Sequence, residues 1–200
     1  MKRTASVVLA MSALVLVTAC GDKADETATG DSATMAMGGS TAAAEPAAPA
    51  ALTDANIVYI LDQANVADST LGALAETKAT NADVRNFGKM MQGEHHALRQ
   101  QGQDLATKLG VTPAMPAGDQ SETNAMQTAT TMQTMAKGAA WDKAYIDHEV
   151  SYHQQVLQTA TAALGAAQNA ELKDLIGKAA PIIQKHLDMA LELQKKMATM

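Results

Sequence analysis

From Thr53 onward, residues suited to a packed interior recur in alternating steps of three and four, and they do so along four successive runs. The first run is Ile57, Leu61, Ala64, Asp68, Leu71, Ala75 and Lys78; the second passes through Val84, Gly88, Met91, His95, Leu98, Gly102, Leu105 and Leu109. The third carries Ile146, Glu149, His153, Val156, Ala160 and Ala163, and the fourth Leu172, Ile176, Ala179, Ile183, His186, Ala190, Leu193 and Met197. This spacing places one stripe of each helix against its neighbours, so the chain is predicted to be all-α. Aromatic residues are only 2% of the sequence, too few for the packed faces of a β-sandwich or barrel.

Punctuation sets the order of the elements. Thr53 or Asp54 can cap the first helix, Asn81 the second and Asn169 the last. Gly110 followed by Pro113 and Pro116 ends the second. Short connections near residues 80 and 168 make two antiparallel hairpins. The long connection between them, 110–140, is predicted to hold an extra short helix at about 121–137, opened by Asp119 with Glu122 in a capping-box-like arrangement. The expected architecture over 53–200 is an antiparallel up-down four-helix bundle with helices of about 25–28 residues, roughly 40 Å long at 1.5 Å per residue.

The first 52 residues read differently. Lys2 and Arg3 precede a short apolar stretch, Val7 to Val17, too short to span a bilayer comfortably. Residues 1–19 have the pattern of a signal peptide. Val17-Thr18-Ala19-Cys20 resembles the lipobox of bacterial lipoproteins, which implies cleavage before Cys20 and lipidation of that residue. Cys20 is the sole cysteine, so no internal disulfide and no Cys-x-x-Cys motif can form. Residues 20–52 are Ala, Gly, Ser, Thr, Asp and Pro with almost no large apolar side chain, the composition of a disordered tether. By the same resemblance, Gly21 after the cysteine implies an exported protein lipid-anchored to the outer membrane and facing the periplasm. The membrane is then a partner through Cys20. A formal charge of −6 with no basic run argues against nucleic acid. The sequence names no protein partner and leaves self-association open.

Each seam is interrupted by residues that can ligate. Counted from the hairpin turns, Asp68, His95, His153 and His186 fall near one height, and Glu149 lies one turn from His153 on the same face. Glu94 adjoins His95 on an equally plausible register. Burying such groups is costly unless they are paired or coordinated. Two readings follow: a metal site made of Asp68, Glu94, His95, Glu149, His153 and His186 that takes one Zn²⁺, Cu²⁺ or iron ion, or a hydrogen-bonded polar layer that only fixes helix register. No histidine has Glu three residues before it, so the Glu-x-x-His pattern of two-metal carboxylate bundles is absent. No nucleophile motif or phosphate loop is present either. The chain reads as a binding or structural protein rather than an enzyme, and any catalysis would be that of a metal-dependent oxidoreductase.

Several motifs together resemble the bacterial envelope family known as domain of unknown function 4142, a ferritin-like helical group. They are Ala67-Asp68 with Leu71-Gly72-Ala73-Leu74-Ala75, the run Val84 to His95, Trp141-Asp142 with Tyr145 and His153, and Pro181 with His186-Leu187 and Ala190. The resemblance covers about 54–199 and implies a ferritin-like bundle, but no reaction. This chain departs from the family pattern at Asp68 (usually Glu), Glu94 (usually Asp) and Trp141 (usually Phe). The function expected is envelope metal or stress handling, with a purely structural or interaction lipoprotein as the alternative.

Overall fold

A computed structural model of the chain describes residues 52–199. Five helices follow one another: α1 (Asp54–Lys78), α2 (Ala82–Leu109), α3 (Ser121–Thr134), α4 (Ala139–Ala166) and α5 (Ala170–Met197). No strand occurs among the described residues. The four long helices have 25, 28, 28 and 28 residues, the lengths the seams predict. Among the described residues no helix is long and apolar enough to cross a membrane.

The two hairpins, α1–α2 and α4–α5, turn by the same chemistry. Ala79-Thr80-Asn81-Ala82-Asp83-Val84 and Ala167-Gln168-Asn169-Ala170-Glu171-Leu172 share one pattern. In each, the Asn side chain caps the second helix by accepting from the backbone N–H groups two and three residues on. In each, a carboxylate from the opposite hairpin then takes the N–H groups of the turn. Asp142 accepts from Thr80 N and Oγ1 and from Asn81 N at 2.9, 2.6 and 2.8 Å. Asp54 accepts from Gln168 N and Asn169 N at 2.7 and 3.0 Å. These cross-hairpin bonds satisfy backbone donors that the tight turns leave over.

Helices α1 and α2 approach each other closely at two glycines. A Cβ on Gly72 would stand 2.5 Å from the Gly88 carbonyl oxygen, and one on Gly88 would stand 2.4 Å from Ala75 Cβ. Glycine at both positions is what lets the two backbones meet.

The connection 110–120 begins at Gly110, left-handed at φ 66°, and is tied to α1 by Asn56 Nδ2 donating to Ala114 O at 2.9 Å. The extra helix is present as α3, but it starts and stops differently from the expectation. Gln120 holds the N-cap position and makes no side-chain cap. Asp119 instead accepts from Ser121 N at 3.0 Å, and Glu122 makes no reciprocal bond. The helix stops at Thr134 because its last carbonyls are claimed from outside. Lys78 Nζ donates to Met132 O, Gln133 O and Met135 O. Trp141 Nε1 donates to Met132 O at 2.8 Å. A buried lysine at a helix C-terminus also offsets the negative end of the helix dipole.

The bundle core has two apolar halves. One gathers Leu71, Ala75, Phe87, Met91, Trp141, Tyr145, Leu187 and Leu193; the other Ile57, Val58, Ala106, Ala160, Ala163, Leu172 and Ile176. On each long helix a polar seam residue (Asp68, His95, His153 or His186) lies between its contributions to the two halves.

Candidate metal centre

Asp68 on α1, His95 on α2, Glu149 and His153 on α4, and His186 on α5 all meet at mid-bundle, none more than 1% exposed. One ligand atom each from His95, His153 and His186 lie within 4.8 Å of one another, and so do one each from Asp68, Glu149 and His153. The cluster is therefore two overlapping triads that share His153.

Each imidazole has one nitrogen committed to an acceptor. His95 Nδ1 donates to Asn65 Oδ1 at 3.0 Å. The orientation of that amide is fixed because Asn65 Nδ2 donates to Leu61 O at 2.7 Å. His153 Nδ1 donates to the Glu149 backbone carbonyl at 3.0 Å. His186 Nε2 donates to Glu94 Oε2 at 2.8 Å, and this bond holds the Glu94 carboxyl below its usual pKa. A neutral imidazole that donates through one nitrogen keeps a lone pair on the other. The nitrogens left over are His95 Nε2, His153 Nε2 and His186 Nδ1.

The rings are neutral. Burial pushes His95 down to about 2, reinforced by His153 and His186. Burial likewise lowers His153 to about 4 and lowers His186 against the pull of Glu94. His95 Nε2 and His186 Nδ1 thus face each other at 3.2 Å with no proton between them, and His153 Nε2 has no partner. Converging lone pairs repel unless a cation sits among them. Two nitrogens on one zinc ion at about 2.0–2.1 Å stand roughly 3.3 Å apart in a tetrahedron, which matches the spacing here. Acceptors behind ligating histidines are the usual device for fixing tautomer and ring orientation.

The carboxylate side is unsatisfied in another way. Both oxygens of Asp68 and of Glu149 are buried without a hydrogen-bond donor. Asp68 Oδ2 is 3.5 Å from His95 Nδ1 and Glu149 Oε2 is 3.4 Å from His153 Nδ1, but those protons are given to Asn65 and to the Glu149 carbonyl. Burial drives Glu149 up to about 8, with the Tyr145 hydroxyl drawing it part of the way back. Burial, and then Glu149, drive Asp68 well above the usual carboxylate range. A divalent cation at this level would supply the charge that both acids lack.

The remaining candidates separate cleanly. Glu94 lies on the half-exposed flank, where it orients His186 and stays outside both triads. His96 points to solvent, and His148 stacks on Tyr152 at 5.4 Å on the flank of α4. Asn65 was not singled out from the sequence. Its signal was its place three residues before Asp68, on the same face of α1. Cys20 lies outside the described residues.

A search of solved structures finds the crystal structure of a DUF305 fragment from Deinococcus radiodurans. It is 14% identical, with a TM-score of 0.61, and the match covers 74% of this chain and 99% of that one. At that identity the likeness is one of fold. No curated protein matches the chain significantly. The profile described as Domain of unknown function (DUF4142) matches residues 39–193, so the chain belongs to the DUF4142 family.

Proposed function

We propose that this protein is the metal-binding module of a bacterial envelope lipoprotein, anchored through Cys20 and holding one Zn²⁺, Cu²⁺ or iron ion on His95, His153 and His186. Asp68 and Glu149 adjoin the ion and balance its charge. Glu94 and Asn65 position two of the rings. The observation that carries the reading is the set of three buried, neutral imidazoles, each with its other nitrogen already committed. A layer held only by hydrogen bonds would give each buried carboxylate a well-placed donor; Asp68 has none, and Glu149 has only the Tyr145 hydroxyl nearby, too far for a formed bond. The address rests on the lipobox-like Val17 to Cys20 and the tether-like 20–52, which support an outer-membrane anchor facing the periplasm. Metal or stress handling in the envelope is the role this combination suits.

The test is elemental analysis of protein purified without chelator or affinity-tag metal, followed by titration of the stripped protein with Zn²⁺, Cu²⁺ and Fe²⁺. About one equivalent of a single metal is expected. His95→Ala and His186→Ala should each weaken binding at least tenfold, and Glu94→Gln by about 10-fold through ring orientation. Protein that stays empty with all three ions would sink the proposal. For the anchor, labelled fatty acid should be incorporated by the wild-type chain and lost in Cys20→Ala.

A further inference from the structure

One half of the core is hollow. A cavity of about 180 Å³ lies between α1, α2, α4 and α5, on the side of the His layer away from Trp141, and it opens toward the surface beside Gln103 and Pro113. Its walls are apolar and small: Val58, Leu98, Gly102, Ala106, Ala160 and Ile183 among others. Dry apolar cavities of about 150 Å³ hold a molecule the size of benzene.

The polar side chains on its boundary bond chiefly to one another. Asp62 receives Arg99 Nε at 2.8 Å, Arg99 Nη2 at 3.4 Å and Gln103 Nε2 at 2.9 Å. Asn65 is spent on Leu61 O and His95. His95 gives its one N–H, on Nδ1, to Asn65, and its Nε2 stands 3.2 Å from His186 Nδ1, so it has no donor left for the cavity. The boundary therefore carries no unmatched charge and no free donor on His95 or acceptor on Asp62 that a charged or strongly polar ligand would need.

We propose that this cavity is a binding site for a small, uncharged, apolar molecule, of the size of a single aromatic ring with a short substituent, seated against His95. The inference goes beyond metal binding and does not depend on it, because the walls form without an ion.

The test is titration of the full chain, metal-free and Zn²⁺-treated, with toluene, read by calorimetry and by the melting temperature. One equivalent of toluene should bind and raise Tm with concentration, and benzoate should bind at least tenfold more weakly. Ala106→Leu and Ala180→Leu fill the cavity from α2 and from α5, and each should weaken toluene at least tenfold. Absence of toluene binding by the wild-type protein overturns the proposal. So does undiminished binding in a folded variant, or a preference for benzoate. Should neither variant fold, the wild-type titration with the two probes decides alone. Toluene binding in a protein that takes up no metal would leave this inference standing while the metal proposal fails.

Discussion

The two ends of the bundle are built alike and filled differently. Each hairpin turns on the same Ala-x-Asn-Ala-acid-apolar run and is closed by a carboxylate from the other hairpin. Yet the half near the α1–α2 turn is packed with Phe87, Met91, Trp141 and Tyr145. Trp141 stacks on Tyr145 at 5.4 Å, and Phe87 meets Tyr145 edge-on at 6.3 Å. The half near the α4–α5 turn offers alanines at the corresponding depth and leaves a cavity of about 180 Å³. Identical turn chemistry with unequal filling says that stability and binding are divided between the ends. Three aromatic rings supply much of the apolar burial at one end, which lets the other keep a void that a uniformly packed core would close.

The sharpest way to break this division is to hollow the dense end. Trp141→Ala removes a side chain with no exposure, together with the bond that holds Met132 O. It should cost about 3–5 kcal/mol in urea unfolding. The cavity-filling Ala106→Leu should shift the same midpoint by no more than about 1 kcal/mol in either direction. Equal losses from the two variants would mean that the hollow end is as tightly constrained as the dense one.

The turns provide a finer contrast. Asp142 is 2% exposed and accepts three bonds, whereas Asp54 is half-buried and accepts two. Removing the buried acceptor strands donors that water cannot reach. Asp142→Ala should therefore cost about 2–3 kcal/mol and Asp54→Ala about 1 kcal/mol. Hydrogen exchange at the amides of Thr80 and Asn81 should rise more than at Gln168 and Asn169. The reverse order would show that burial of the accepting carboxylate does not set the cost of losing it.

Much of this was legible in the sequence because period and position determine it. Ile57, Met91, Ile146 and Leu172 lie on predicted seams and are all buried, and so are Asp68, His95, Glu149, His153 and His186. A three-four repeat can bury only one stripe, so any polar residue on that stripe is forced inward. What the period does not encode is which partner a side chain finds across space. Lys78 reaches carbonyls 54 to 57 residues away, and Asp142 reaches a turn 61 to 62 residues away. Glu94 fell on the flank because it is one residue from His95, about 100° around the helix. From there it still reaches His186. The cavity was invisible for a related reason: alanine on a seam signals close helix packing and empty space equally well.

The layer between the halves gives the smallest expected effect, seen as a pH dependence of the metal-free protein. Glu149 meets the dense end at Tyr145, and with Asp68 it is held protonated by burial. In the unfolded chain these acids ionise near pH 4–4.5. From there to about pH 8 the folded state holds protons that the unfolded state has lost, so stability falls as pH rises. The histidines act in the opposite sense. Their folded values lie below the unfolded 6.5, with His95 at about 2 and His153 at about 4, so they add stability as pH rises toward 6.5. The two slopes oppose each other up to about pH 6.5, and only the carboxylate slope remains above it. Metal-free protein should lose a few degrees of Tm, roughly 2–6 °C, between pH 6.5 and 8. The loss should shrink in Asp68→Asn with Glu149→Gln, and also when Zn²⁺ is added, because a cation favours the ionised acids. A metal-free Tm that stays flat over that interval would mean that Asp68 and Glu149 are already ionised and paired, and would remove the charge argument for an ion at this level.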